Sequence, residues 1–272
     1  MTERPAHAYQ PGSGVDITVP HSARVMNYWI GGKDHYRADQ AAGDRVRAVF
    51  PGIVDLARTG RRFSGRCVRY LAAEAGIRQF LDIGTGLPAA DNTHEVAQRV
   101  APGSRVVYVD NDPLVLAYAR ALLTSTPSGA TAYLHGDVHH PERILEGASR
   151  TLDLTRPVAV LLMGVLAHVG DYDEARGIVH RLTDALPSGS YLAIRDGTNT
   201  DPAYVAALDR YNRTGAAPYR LRSPAQLAGF LEGLETVGPG VVPCSQWRLD
   251  PPEGGAGRPA RPAVYGGMGR KP

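Results

Sequence analysis

The segment Phe80-Leu-Asp-Ile-Gly-Thr-Gly-Leu-Pro-Ala carries an apolar run through Asp82 into a turn containing Gly84, Thr85 and Gly86. Glycines at such a turn let the backbone approach a ligand closely and adopt angles that a Cβ forbids. The next apolar run, Arg105-Val-Val-Tyr-Val-Asp110, ends in a carboxylate 24 residues beyond Gly86. A carboxylate there can accept from both hydroxyls of a ribose. A third turn, His135-Gly136-Asp137-Val138, sets a side-chain acceptor beside a backbone N–H, a pair able to read the amino edge of adenine. Each is an ordinary turn by itself. In series they form three parts of one adenosine pocket.

These residues need a parallel sheet to bring them together. Short β-branched runs alternate with helical stretches, the pattern of βαβ units. Strands are predicted over Gln79–Ile83, Arg105–Asp110, Ala130–His135, Val158–Met163 and Ser190–Arg195, and helices over Thr93–Val100, Pro113–Leu123, Pro141–Gly147 and Tyr172–Leu186. Asp112 reads as the N-cap of the second of these helices, with Pro113 at its first position. Further helices are expected over Ala203–Arg213 and Pro224–Leu234, and an antiparallel pair over Val237–Pro243 and Ala263–Gly269, separated by a Pro/Gly/Arg-rich surface loop. Before the sheet, residues 1–20 read as a flexible leader, and short helices are expected around Ser22–Ile30 and Arg37–Phe50. The division is therefore 1–60, leader and helical lid, and 61–272, a Rossmann-like α/β domain whose strands end on one ligand-binding edge.

Gly84-x-Gly86-x-x-Ala89 formally satisfies the dinucleotide fingerprint. A dinucleotide site, however, needs a helix opening directly on the glycines, so that its N-terminus faces the pyrophosphate. Here Pro88 and Ala90-Asp91 intervene, and Asn92-x-x-Glu95 reads as the capping box of a later helix. Asp82 would also repel a diphosphate, whereas it suits the amino-acid portion and sulfonium of S-adenosylmethionine (SAM). SAM is the expected cofactor.

The DxGxG turn, the acid after the second strand and the Gly-Asp after the third resemble class I SAM-dependent methyltransferases. LDIGTGLPAADNTHEVAQRVAPGSRVVYVDNDPLV, with the earlier SARVMNYWIGGKDHYRADQ, is similar to the actinobacterial S-adenosyl methyltransferase family, formerly a domain of unknown function. The likeness runs on through PGVVPCSQWR to YGGMGRK. It implies a seven-stranded, mostly parallel sheet with helices on both faces and a terminal antiparallel hairpin. It also implies methyl transfer from SAM; the acceptor, which the resemblance does not identify, is expected to be a small molecule. Asp110 and Asn111 would hold the ribose, Asp137 and Val138 the adenine, and Asp82, Gly84, Thr85, Gly86, Asn92, His94 and Met163 the rest of the cofactor.

After the fourth strand, Leu166-Ala167-His168 is similar to the Leu-His-Asp-Trp stretch of small-molecule O-methyltransferases, in which the histidine is a base. Ala167 holds that histidine's place and His168 the next. His168 is the candidate base, displaced by one residue. Arg195-Asp196, after the fifth strand, is a candidate for the acceptor pocket. Arg24, Tyr28, Gly31, Gly32, Lys33, Asp34 and Tyr36 suggest a lid over bound cofactor, with Arg24 and Tyr28 touching it.

Of the 272 residues 43% are hydrophobic and 21% charged, with a net charge of +3, the proportions of an ordinary globular protein. The positive charges are scattered arginines rather than a basic block, so no nucleic-acid partner is expected. No apolar run is long enough to span a bilayer. Cys67 and Cys244 have neither zinc-ligand nor disulfide-framework spacing, so metal independence and a cytoplasmic location are expected. Two competing readings remain, a SAM-binding protein that has lost catalysis and an NAD(P)-dependent oxidoreductase.

Overall fold

Alternation of side chains along covered strands sorts this chain into two packed faces. In the computed structural model, residues 16–248 and 262–272 are described. The first fifteen residues of the expected leader and residues 250–261 of the expected surface loop lie outside them.

Three helices precede the sheet: α1 (Ser22–Ile30), α2 (Arg37–Val49) and α3 (Ile53–Ala73). The expected elements omit α3, which has five arginines and two glycines among its 21 residues. It runs unbroken through residue 60, where the lid segment was expected to give way to the sheet domain. Then follow β1 (Gln79–Ile83), α4 (Thr93–Val100), β2 (Arg105–Asp110), α5 (Pro113–Leu122), β3 (Ala130–His135), α6 (Pro141–Ala148) and β4 (Ala159–Met163). A 3-10 turn (Leu166–His168), α7 (Tyr172–Asp184), β5 (Tyr191–Gly197), α8 (Pro202–Tyr211) and α9 (Pro224–Gly229) lead to β6 (Glu235–Thr236), β7 (Val242–Pro243) and β8 (Val264–Arg270).

The strand order is β3-β2-β1-β4-β5-β8-β6, with β7 also on β8. The first five strands are parallel, and β8 runs antiparallel to β5, β6 and β7. This is the expected α/β, Rossmann-like sheet with its antiparallel hairpin. One partner of the hairpin is in two pieces, making eight strands: Val237-Gly238-Pro239-Gly240 separates β6 from β7. Proline has no N–H to give a ladder and glycine weakens a strand interior, so pairing lapses there.

On one face Leu81, Val107 and Val160 pack with Ile144 of α6 and Ile178 and Leu182 of α7. On the other, Phe80, Val106 and Leu161 pack with Phe63, Cys67 and Leu71 of α3. Both cysteines are buried there as free thiols. A third cluster joins Val25 of α1, Ala42 and Val46 of α2, and Tyr204, Leu208 and Tyr211 of α8. It builds a helical cap beyond the strand ends. No helix among the described residues is long and apolar enough to cross a membrane.

The turn after β4 is held from below by a buried arginine. Arg222 Nη1 donates to the Leu166 carbonyl at 2.7 Å and Nη2 to that of Val169 at 2.6 Å. Replacing it would strand both acceptors away from water. Arg222→Leu should lower stability by about 3 kcal/mol, read as a lower urea midpoint with unchanged slope.

Candidate cofactor and acceptor site

Parallel strands that share one direction end together, and the residues after them form the floor of a cavity of about 360 Å³. That volume lies within the roughly 300–1,000 Å³ of small-molecule sites. Among its buried polar groups is Asp110 at the end of β2. One oxygen accepts from the Gly86 N–H at 2.9 Å and the other from the Asp112 N–H at 3.0 Å. Burial raises the Asp110 pKa, while these two N–H groups oppose the rise. Each oxygen keeps a further lone pair for a ligand hydroxyl.

The glycine turn is shaped by close approach. Gly84 and Gly86 have φ of +71° and +70°, and a Cβ at Gly84 would lie 2.6 Å from that of Val165. Asp82, at the cavity floor, accepts from the Thr93 hydroxyl at 2.6 Å, and burial pushes its pKa up. Asp137 lies at the end of β3. Burial works against its charged form, yet hydrogen bonds from the His139 backbone and ring outweigh it and hold the carboxyl below its usual range. Thr85, Asn111, Val138, Met163 and His168 also line the cavity, so the structure gathers most of the residues singled out from sequence.

Four of them do not line it. Arg24 is buried as a staple: Nε lies 3.5 Å from Asp112 and 3.8 Å from Asp39, and its Nη groups donate to the Asp16 carbonyl at 3.1 Å. Tyr28 points to α2, donating to Asp44 at 2.7 Å. Asn92 spends its side-chain oxygen on the Ala89 N–H and on Arg61, both at 3.1 Å. Its backbone N–H donates to Glu95 at 2.9 Å, in the capping box that starts α4 well after the glycines. His94 faces the core, its Nδ1 2.8 Å from the Tyr108 hydroxyl, which also accepts from the His94 N–H. Burial lowers its pKa.

The cavity wall is α1 itself, through Ser22, Ala23, Met26 and Asn27. The Gly31-Gly32 turn only ends that helix: Asn27 Oδ1 accepts from the Asp34 N–H at 3.0 Å. Arg61, Ser64 and Val68 of α3 complete the wall. Sequence reading missed them because α3 itself was missed.

On the β4–β5 side, His168 Nδ1 lies 3.0 Å from the Pro218 carbonyl, and the ring sits edge-on to Tyr219 at 5.3 Å. A carbonyl only accepts, so Nδ1 carries the proton and Nε2 is the basic nitrogen of the neutral ring. Burial lowers the His168 pKa and favours that neutral form. Ala167, in the aligned histidine's place, is wholly buried. Beyond lies Arg195, whose Nη2 donates to the Met163 carbonyl at 2.6 Å. Asp196, the next residue, is buried and accepts from the Tyr219 hydroxyl at 2.9 Å.

The chain matches the family described as S-adenosyl methyltransferase over residues 8–272. It belongs to that family. A solved DUF574 family protein from Streptomyces avermitilis is 48% identical, covering 93% of this chain and 98% of its own, with a TM-score of 0.89. A putative methyltransferase from Thermobifida fusca is 38% identical over 97% and 99% of the two chains, with a TM-score of 0.85. An O-methyltransferase family 2 protein from Planctomyces limnophilus, solved with apigenin, shares the fold alone, at 18% identity, 86% and 65% coverage and a TM-score of 0.50. No curated protein matches. The cofactor of this S-adenosyl methyltransferase family member is SAM, and the site fits it: backbone space at the glycine turn, and acceptors at Asp110 and Asp137 for an adenosine.

Desolvation pushes Asp196 from 3.8 to about 7. The folded-state value is raised, so the native carboxyl binds protons more tightly than the unfolded one. The stability this adds is complete below pH 3.8, is lost as the pH climbs to about 7, and is absent above it. Asp196→Asn should remove that decline, on the order of 4 kcal/mol, so thermal unfolding of wild type and variant should diverge between pH 4 and 7 and run parallel above.

Proposed function

We propose that this chain is an active SAM-dependent methyltransferase whose acceptor is a small molecule. The single observation that carries the reading is the continuous cavity in which Asp110, Asp137 and the Gly84–Gly86 turn meet the wall formed by His168 and Arg195. Asp110 and Asn111 take the ribose, Asp137 and the backbone at Val138 the adenine. The glycine turn with Asp82, Thr85 and Met163 flanks the methionine portion. Arg61, beside Asp82, supplies the cation for its carboxylate.

SAM supplies a methyl group on a positive sulfur with a neutral thioether as leaving group. The chain's own work is then to orient the acceptor, exclude water and accept a proton where the acceptor carries one. Nε2 of His168 is the nitrogen available for that proton. The enclosed wall of α1 and α3 limits the acceptor to a small molecule. Two buried free thiols agree with a reducing, cytoplasmic location. The oxidoreductase reading has no support here: a dinucleotide helix opens directly on the glycines, whereas α4 starts only at Thr93, after Pro88 and the Asn92 capping box. The inactive-binder reading rested on Ala167, and it weakens because the neighbouring His168 lies on the cavity wall.

Asp110→Ala should cut the affinity for SAM and for S-adenosylhomocysteine by about 100-fold or more, the loss of two charge-assisted hydrogen bonds. Calorimetric titration checks this, and wild-type protein that binds neither would end the methyltransferase reading. With a protonated acceptor, His168→Ala should lower kcat by roughly 10²–10⁴.

A further inference from the structure

Beside the main cavity lies a second, narrow one of about 60 Å³. Ser22, Met26, Ala57, Arg195 and Tyr219 line both. At roughly 10–15 Å³ per water, this annex has room for about one six-membered ring. Its walls are apolar and aromatic, among them Val25, Trp29, Ile53, Leu56 and Tyr204. Two buried polar atoms on its lining residues have no partner among the described residues, the Tyr211 hydroxyl and Arg195 Nε. Unpartnered polar groups beside an apolar slot mark a place where a ligand supplies the missing partners.

Arg195 is the unusual member. A guanidinium has five N–H donors, yet among the described residues this one makes a single hydrogen bond, to the Met163 carbonyl, and no ion pair with a carboxylate. The adjacent Asp196 spends an oxygen on Tyr219 instead. Space has been cleared for the guanidinium from two sides. A Cβ at Gly60 of α3 would lie 2.2 Å from its Nη1, and one at Gly164 3.3 Å from its Nη2. The carboxylates of the main cavity, Asp82, Asp91, Asp110 and Asp137, all lie in or after β1, β2 or β3. On the β4–β5 side, the groups able to carry charge are Arg195 and His168, with Tyr219 beside them.

Resting on the methyltransferase reading, we propose that the acceptor is an aromatic oxyanion, a ring-borne carboxylate or ionised hydroxyl, held by Arg195 with its ring in the annex. A protonated amine would face a fixed cation on the protein and another on the sulfonium. An oxyanion is attracted by both. In the transfer, an oxygen lone pair forms the new O–CH₃ bond while the S–CH₃ pair goes to sulfur, so anion and sulfonium become a neutral ester or ether and a neutral thioether. No proton is released if the acceptor arrives ionised. If it arrives as a phenol, His168 Nε2 takes the proton. Opposite charges are annihilated in a site with little water, where their attraction is strongest.

The test is calorimetry on the full chain saturated with S-adenosylhomocysteine, titrated with benzoate, with 4-nitrophenolate and with benzylamine. At least one anion should bind tenfold or more tightly than benzylamine. Benzoate alone would point to a carboxylic acid acceptor, and 4-nitrophenolate alone to an acidic hydroxyl. Arg195→Gln should erase the preference. Gly60→Ala, which displaces the guanidinium without removing its charge, should weaken anion binding and serves if the first variant fails to fold. Benzylamine binding as well as the anions, no probe binding, or anion affinity indifferent to both substitutions would overturn the inference. Failure of wild type to bind S-adenosylhomocysteine would instead defeat the underlying reading.

Discussion

A buried arginine between two carboxylates determines whether this molecule has an enclosed site at all. Arg24 of α1 lies between Asp39 of α2 and Asp112, the residue that caps α5. All three side chains are at most 5% exposed. Charges taken this far out of water are tolerated only in one another's company, and removing one partner from such a group typically costs about 3–5 kcal/mol. The cluster therefore fastens the helical cap to the sheet edge, two residues from Asp110. With the cap in place, Ser22 and Met26 stand opposite the strand ends, and an open edge becomes a cavity.

The sheet topology then divides that cavity by charge. Strand order reverses between β1 and β4, and ligands in open α/β sheets bind at such a point. On one side, β1, β2 and β3 deliver Asp82, Asp110 and Asp137. On the other, β4 and β5 deliver Met163, His168 and Arg195. The first set has the acceptors an adenosine and an ammonium group require. The second has a base nitrogen and a cation. Because register is fixed by packing on both faces, these groups keep their spacing with no ligand present.

Much of this was legible from the residues. Strands covered on both faces appear as largely apolar runs, so β1 and β2 begin and end at the predicted residues, as does the half-buried edge strand β3, and the acids and glycines at their ends follow. Helical side chains were harder. His94, Asn92, Arg24 and Tyr28 lie near the site in sequence, but a helix turns 100° per residue and each points to the core or to a neighbouring helix. The helix α3 was overlooked although Ile53, Ala57, Phe63, Cys67 and Leu71 recur at helical spacing; its start has no side-chain cap and two glycines lie inside it, and Arg61 was lost with it. Tyr219 and Gly60 gain meaning only through Arg195, far away in the chain. No local pattern encodes that encounter.

Hydrogen exchange of the amides, with and without saturating S-adenosylhomocysteine, would test the central claim directly, that the cofactor sits between the strand ends and the arginine-stapled cap. The account predicts added protection at Gly84–Leu87, at Asp110–Asp112, at Gly136–His139 and along Ser22–Ile30, together in one titration. Protection confined to other elements, or binding that leaves Ser22–Ile30 unchanged, would contradict it.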